Sequence, residues 1–339
     1  MLMVGDDHDR QFAVVARGLQ VGINWFDTAA TYGNGQSERS LGRVLEELGA
    51  GNQVYVATKV RLMPEDLADI HGAVWRSFEG SLKRLRLPRV TLLQLHNSIT
   101  SQRGDEPTSV TPHDVLGPRG IVEAMKELRS DGLVTHLGLT GIGQAGALRE
   151  VVRSGEFETL QVPYHLLNPS AGRDMAATFA ETNYGNIIAD CGELDMGVLA
   201  IRVLAGGALA GNPPSPHTFT TPFFPLSLYE RDQRRAARLK ELASLNGNLQ
   251  RQAVRFVLAH PQVSSALVGF GEPWQIDEAL GALEPDEAPL EWNDVLAAAR
   301  EGDAGQVIDP PPRRAGAADF LTRRTLIDTI VWPESLTYP

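Results

Sequence analysis

At 339 residues, 42% hydrophobic and 22% charged, the chain has the make-up of a globular enzyme with ample core and no need of a disulfide or metal staple. Its 31 basic and 42 acidic residues leave a formal charge of −11, which repels phosphate backbones and argues against nucleic-acid binding. A single cysteine, Cys191, excludes an intrachain disulfide framework and suits a reducing cytoplasm; no apolar run reaches the ~18–20 residues of a membrane span, and Met1–Arg10 lacks a signal-peptide pattern.

Short apolar runs then alternate with helical stripes. Gly22–Phe26 reads as a strand. Ser37 is placed to cap a helix whose one face is Leu41, Val44, Leu45 and Leu48. Val54–Thr58 is the next strand, followed by the stripe Leu67, Ile70, Val74, Phe78, Leu82, Leu85. Val90–Leu95 is a strand, Val122, Met125 and Leu128 mark a helix, and Val134–Leu139 is a strand. Leu148, Val151 and Val152 mark another helix; Leu160 and Val162 lie in a short strand; Val198–Ile201 and Ala266–Val268 complete the series. These seven strands are apolar on both faces, as in a parallel sheet covered on both sides. A (β/α)₈ barrel and an open doubly wound sheet both fit. Gly206–Pro225, with five prolines, reads as a long surface loop.

Polar residues gather at strand ends: Asp27, Lys59, His96, Thr140, Gln161 and Arg202 each close or follow a separate strand. A parallel barrel brings all such ends to one face, where its active sites lie, whereas a doubly wound sheet brings only one or two to its crevice. Tyr32, five residues after Asp27, projects over the same face. A phenol titrates near ~10, and a lysine ammonium ~4 Å away favours its ionised form by at most ~4 kcal/mol at an effective dielectric of about 20. Such a pair brings a tyrosine into the range of acid–base work. Asp27 is placed to hold Lys59 charged, and His96 to donate to a carbonyl oxygen. Taken singly, these residues have plain readings as a helix cap, a snorkelling lysine, a core histidine and a packing tyrosine; four at one face are harder to dismiss. The other histidines show no metal spacing, so no metal is expected.

The stretch Gly22-Ile23-Asn24-Trp25-Phe26-Asp27-Thr28-Ala29, then Tyr32-Gly33, Ser37-Glu38-Arg39-Ser40-Leu41-Gly42, Ala57-Thr58-Lys59 and Leu93-Gln94-Leu95-His96 strongly resembles the aldo-keto reductase family. The resemblance runs from about Gly18 to Leu283. It implies a (β/α)₈ TIM barrel, a nicotinamide cofactor, and hydride transfer to or from a small carbonyl or sugar substrate. It implies Tyr32 as acid/base, Lys59 and Asp27 as its tuners, and His96 as the carbonyl-orienting group. Thr140 and Gln161 match the family's contacts to the nicotinamide carboxamide, although Gly141 stands where an Asn is usual. No aromatic residue appears around Arg202, where the family stacks a ring on the nicotinamide, so the stacking is expected to be lost or replaced by guanidinium or aliphatic packing. Gly269, Gly271 and Gln275 match the adenosine-phosphate segment. With Glu272 present and no Lys or Arg from Gly269 to Leu283, NAD is expected over NADP. Ile201–Leu209 and Gln161–Pro169 resemble the aldose dehydrogenase branch, which oxidises sugars to lactones.

The family begins with a strand before its first helix. Here Gln11–Leu19 suffices for the helix, and the strand is absent or reduced to Met1–Val4; coding sequence upstream is expected to supply it. Residues 1–300 are expected to form one barrel domain, and 301–339 an extension docked through Phe320, Leu321, Leu326, Ile327 and Ile330. Two rivals remain. Gly141-Ile142-Gly143-Gln144-Ala145-Gly146 fits the dinucleotide-binding G-x-G-x-x-G, but without the acidic residue about twenty positions on. A cofactor-binding regulatory or inactive relative, without turnover, is the other.

Overall fold

The structure, a computed structural model, describes residues 2–177, 179, 181–214, 226–240 and 248–284. Seven strands form one all-parallel sheet in sequential order: β1 Trp25–Asp27, β2 Tyr55–Val60, β3 Val90–Leu95, β4 Val134–Thr140, β5 Thr159–Pro163, β6 Gly197–Ile201 and β7 Val263–Ala266. Between them run α1 His8–Gln20, α2 Gln36–Glu47, α3 Ile70–Leu85, α4 Pro112–Leu116, α5 Ile121–Ser130, α6 Ala145–Val152, α7 Ile187–Glu193, α8 Leu226–Lys240, α9 Leu249–Leu258 and α10 Pro273–Leu280. Strictly sequential parallel order is barrel order; a doubly wound sheet reverses direction at its switch point. The sheet curls as the (β/α)₈ fold requires, with the first strand missing. Leu2–Val4 is a 3₁₀ turn rather than a residual strand.

Although β1 and β7 end the sheet, the helices outside them meet. α1 packs on α10, and Arg17 donates to Asp277 at 2.5 Å and Arg10 to Glu272 at 3.0 Å. Both pairs are well exposed, so they contribute little beyond register. The apolar faces of the helices carry the packing against the sheet.

Period-two alternation sorts the strand residues into two populations. One set joins the helices in the outer core. The other points into the lumen, where Ala57, Leu92 and Leu199, with Trp25 and Leu267, make a small apolar plug. The register sets Lys59 beside Gln94 and Gln94 beside Gly138, one alternation above this plug. Asp27 and Lys59 thus belong to strands rather than following them, and β7 lies three residues earlier than the sequence pattern suggests.

α2 and α3 approach closely because Gly42 has no side chain: a Cβ there would lie 2.4 Å from the Leu85 carbonyl oxygen. Between them Glu38, fully buried, accepts from Thr58 Oγ1 at 2.5 Å and Arg84 Nε at 2.6 Å. Ser37 is not a cap. α2 starts after Gly35, and the Ser37 hydroxyl pairs with Thr28 at 2.8 Å. The expected extension at 301–339 and most of the proline-rich loop lie outside the described residues.

Candidate active site

The C-terminal ends of β1, β2 and β3 carry a connected set. Lys59 is essentially inaccessible and donates to an Asp27 carboxylate oxygen, to the Thr28 carbonyl at 2.8 Å and to the Tyr32 hydroxyl at 3.3 Å. Its ammonium also lies 4.8 Å from the Tyr32 ring centroid. Burial works against the charged form of Lys59. The charge of Asp27, the Tyr32 oxygen and their hydrogen bonds outweigh it, so the pKa is raised and the ammonium persists at neutral pH. Tyr32 reaches this position on the turn after β1, with its ring edge-on to His96 at a centroid distance of 5.7 Å. Burial, with the charges of Lys59 and Arg61, pushes the His96 pKa well below its usual value. At neutral pH the imidazole is therefore neutral, with one N–H to donate and one lone pair. Thr31 Oγ1 lies 3.4 Å from its Nδ1.

Asp27 has further partners that local sequence does not show. Its Oδ2 accepts from Gln94 Nε2 at 3.0 Å and Gln161 Nε2 at 2.9 Å. Gln161, which the family resemblance sets against a cofactor amide, here faces the carboxylate. Gln94 carries a signal in the sequence: it is a polar residue after Leu92 and Leu93 in an apolar-rich strand, two before His96 and on the same face. Thr140 sits beside Gln161 in the register, and its buried hydroxyl has no hydrogen-bond partner among the described residues. At Gly141 a Cβ would lie 3.0 Å from Leu160 Cδ1 and 3.2 Å from Val162 Cγ2, so the room an Asn side chain needs is already filled.

The remaining expected residues stand apart. Arg202 follows β6 with a left-handed backbone, φ 58°, and is largely buried. Burial lowers its pKa, while Tyr184, Asp232 and Tyr229 act the other way. Gly269 and Gly271 follow β7. Gln275 Oε1 accepts from the Gly271 N–H at 2.6 Å and the Glu272 N–H at 3.1 Å, so in this structure it caps α10. Glu272 is held by Arg10, which also binds Asp7. A cation therefore stands beside this segment, supplied from a point 262 residues away.

The G-x-G-x-x-G match has another explanation. Gly143, at φ 118°, lies against the loop after β3, where a Cβ would fall 2.2 Å from the Ile99 carbonyl oxygen. Ile99 and Gly143 form a parallel bridge, with Gln144 N–H donating to Ile99 O at 2.8 Å. Gly143 seats one loop on another. Away from the site, His71, Glu123 and Glu127 bring ligand-type atoms within 4.8 Å of one another, a grouping that sequence spacing does not reveal.

The family described as "Aldo/keto reductase family" matches residues 5–295. L-galactose dehydrogenase of Arabidopsis thaliana is 26% identical over 286 residues, covering 81% of this chain and 78% of that protein. The structure of a glycerol dehydrogenase from Gluconobacter oxydans superposes with a TM-score of 0.63 at 24% identity, covering 92% of each chain. An aldo-keto reductase from Klebsiella pneumoniae, solved in complex with NADPH, gives a TM-score of 0.60 at 20% identity, covering 87% of this chain and 86% of that one. Sequential parallel barrel order, the buried Asp27–Lys59–Tyr32 contact and the family match over 5–295 lead to one conclusion: the chain belongs to the aldo/keto reductase family of oxidoreductases.

Proposed function

We propose that this protein transfers hydride between a nicotinamide cofactor and an aldehyde, ketone or sugar hydroxyl, with Tyr32 as the acid/base. The observation that carries this reading is the position of Lys59 Nζ, bonded to Asp27 and 3.3 Å from the Tyr32 oxygen. A buried cation at that distance stabilises a phenolate, which forms when Tyr32 gives its proton to a carbonyl oxygen. Asp27 keeps Lys59 charged throughout. His96, neutral and edge-on to Tyr32, donates to the same oxygen and fixes the carbonyl. In alcohol oxidation the phenolate takes the proton instead.

A bound nicotinamide supplies or accepts the hydride. The residues present fit such a group: the Thr140 hydroxyl is buried without a partner, and Gln161 lies beside it. Those two would hold the carboxamide, Arg202 would pack near the ring, and Gly269, Gly271 and Gln275 would line the adenosine end. NAD is favoured over NADP. Around Glu272 the charges are Asp7 and Glu272 against Arg10, a net −1 that opposes a 2′-phosphate. Aldoses are the substrate class favoured, from the resemblance to L-galactose dehydrogenase. The smaller reading, a cofactor-binding relative without turnover, draws on the sheet ending at β1.

Titration with NADH and NADPH, followed by quenching of tryptophan fluorescence, tests the cofactor claim; saturable binding tighter for NADH is expected. Aldose oxidation with NAD⁺ by the parent and Tyr32→Phe tests the rest. Turnover should fall by about 10²–10⁴-fold while cofactor binding persists. Unchanged turnover in Tyr32→Phe would remove the mechanism, and a parent that binds cofactor but turns over no carbonyl or sugar would favour the smaller reading.

A further inference from the structure

We propose that Gln94 and Gln161 are coupled through Asp27, with Gln94 the fixed donor whose presence lets Gln161 leave the carboxylate for the cofactor. The inference rests on the assignment of Gln161 to the nicotinamide carboxamide made above.

Both amides donate to one atom, Asp27 Oδ2, at 3.0 Å from Gln94 and 2.9 Å from Gln161. Oδ1 is engaged by Lys59. The two amides differ in what surrounds them. Gln94 is wholly buried in the lumen, one alternation above Leu92. Its side chain crosses the face of Gly138, where a Cβ would lie 3.2 Å from Gln94 Cγ and 2.2 Å from Thr159 Oγ1. Glycine at 138 is required first by Thr159, and it also leaves room for the Gln94 side chain. The Gln94 Oε1 has no partner among the described residues. An apolar residue in that place would leave no amide oxygen buried unmet, so the amide is retained against a desolvation cost and Asp27 is what it serves. Gln161 is also buried, in the middle of β5, but its surroundings differ. It neighbours Thr140, whose hydroxyl is buried and unpartnered. A carboxamide seated at Thr140 would compete with Asp27 for the Gln161 side chain.

Two donors on one oxygen share its charge, and each bond is weaker than it would be alone. With Gln94 in place, Oδ2 keeps a donor when Gln161 turns away. Without Gln94, releasing Gln161 strips Oδ2 of amide contact on a carboxylate that is only partly exposed. Cofactor binding then bears that cost. Gln94 touches neither cofactor nor substrate in this scheme, which makes it a positioning residue. Lys59 is the charged group on Asp27; Tyr32 and His96 face Lys59, and Arg61 faces Tyr32 and His96.

The test is a double-mutant cycle on cofactor affinity, read by tryptophan fluorescence with NADH in the intact chain and needing no turnover. Gln94→Met keeps volume and removes the donor, and Gln94→Leu is the second variant, of a kind the layer beneath already holds at Leu92. Circular dichroism melts confirm which of them fold. Either variant should raise the Kd about 3- to 10-fold in the parent background and leave it unchanged in Gln161→Met, where no donor has to be released. Simple loosening of the lumen would weaken binding equally in both backgrounds. An additive cycle, or a Gln94→Met Kd equal to that of the parent, overturns the coupling and leaves the functional reading standing. A parent that binds neither NADH nor NADPH overturns the functional reading and this inference with it.

Discussion

The wall built from β1, β2 and β3 and the wall built from β6 and β7 treat their polar strand ends in opposite ways. In the first, Asp27, Lys59, Tyr32 and Gln94 are partners of one another across three strands, buried and already connected. In the second, polar groups are satisfied locally: Gln275 caps its own helix, and Glu272 is tied to Arg10 on the neighbouring helix. A cross-strand network is set by register and resists rearrangement. Local caps and surface pairs can open one at a time. The first wall is a preassembled centre; the second is held by a helix cap and a surface pair.

Lys59→Met should break the first wall most severely. It removes the cation from a buried pair and should lower stability by about 3 kcal/mol in urea unfolding. The two amides on Asp27 remain and soften the loss. Stability intact with turnover lost would show the lysine to be functional without being structural.

Acid should weaken the first wall and the segment after β5 together. His96 and His165 are held neutral by burial and nearby cations, His165 down to about 3. Their folded pKa values lie below the unfolded value of 6.5, so the unfolded state binds more protons as pH falls. Stability is fully present above pH 6.5 and declines below it, His165 alone costing about 2 kcal/mol by pH 5. His165→Asn should flatten that decline in urea midpoints measured from pH 7 to 5. Carboxylates with lowered values, such as Glu158 and Asp114, act in the same direction but in a more acid window.

Smaller effects belong to the second wall. Gln275→Ala removes the acceptor from two N–H groups at the start of α10 and should cost about 1 kcal/mol in thermal melts. Arg10→Ala breaks exposed pairs, so thermal melts should show little loss of stability. It also leaves Glu272 uncompensated and should shift the NADH-to-NADPH affinity ratio further toward NADH. A ratio that moves toward NADPH would remove the electrostatic account of cofactor choice.

Legibility in the sequence followed the range of the interactions. Strand β3 is read to the residue, because six apolar-rich positions lie between clear breaks. β1 is misread at its start, since only three of its residues pair. Ser37 looked like a cap because a hydroxyl before an apolar stripe usually is one; its partner Thr28 lies on another element. Gln94 carried a readable sign, a polar residue in the lumen-facing register, but its meaning depends on Asp27, 67 residues earlier. Arg10 beside Glu272 carried no sign at all.

By itself the sequence determined the parallel alternation of strands and helices, the strand-end placement of Asp27, Lys59 and His96, and the family. Those follow from local periodicity and from motif spacing, both properties of short stretches. Only the tertiary structure decided which groups share a hydrogen bond: three donors on Asp27, a neutral His96, a helix cap from Gln275 and a cation beside Glu272. The physical reason is that burial and charge at a point in space are sums over every element that reaches it, and no single segment contains that sum.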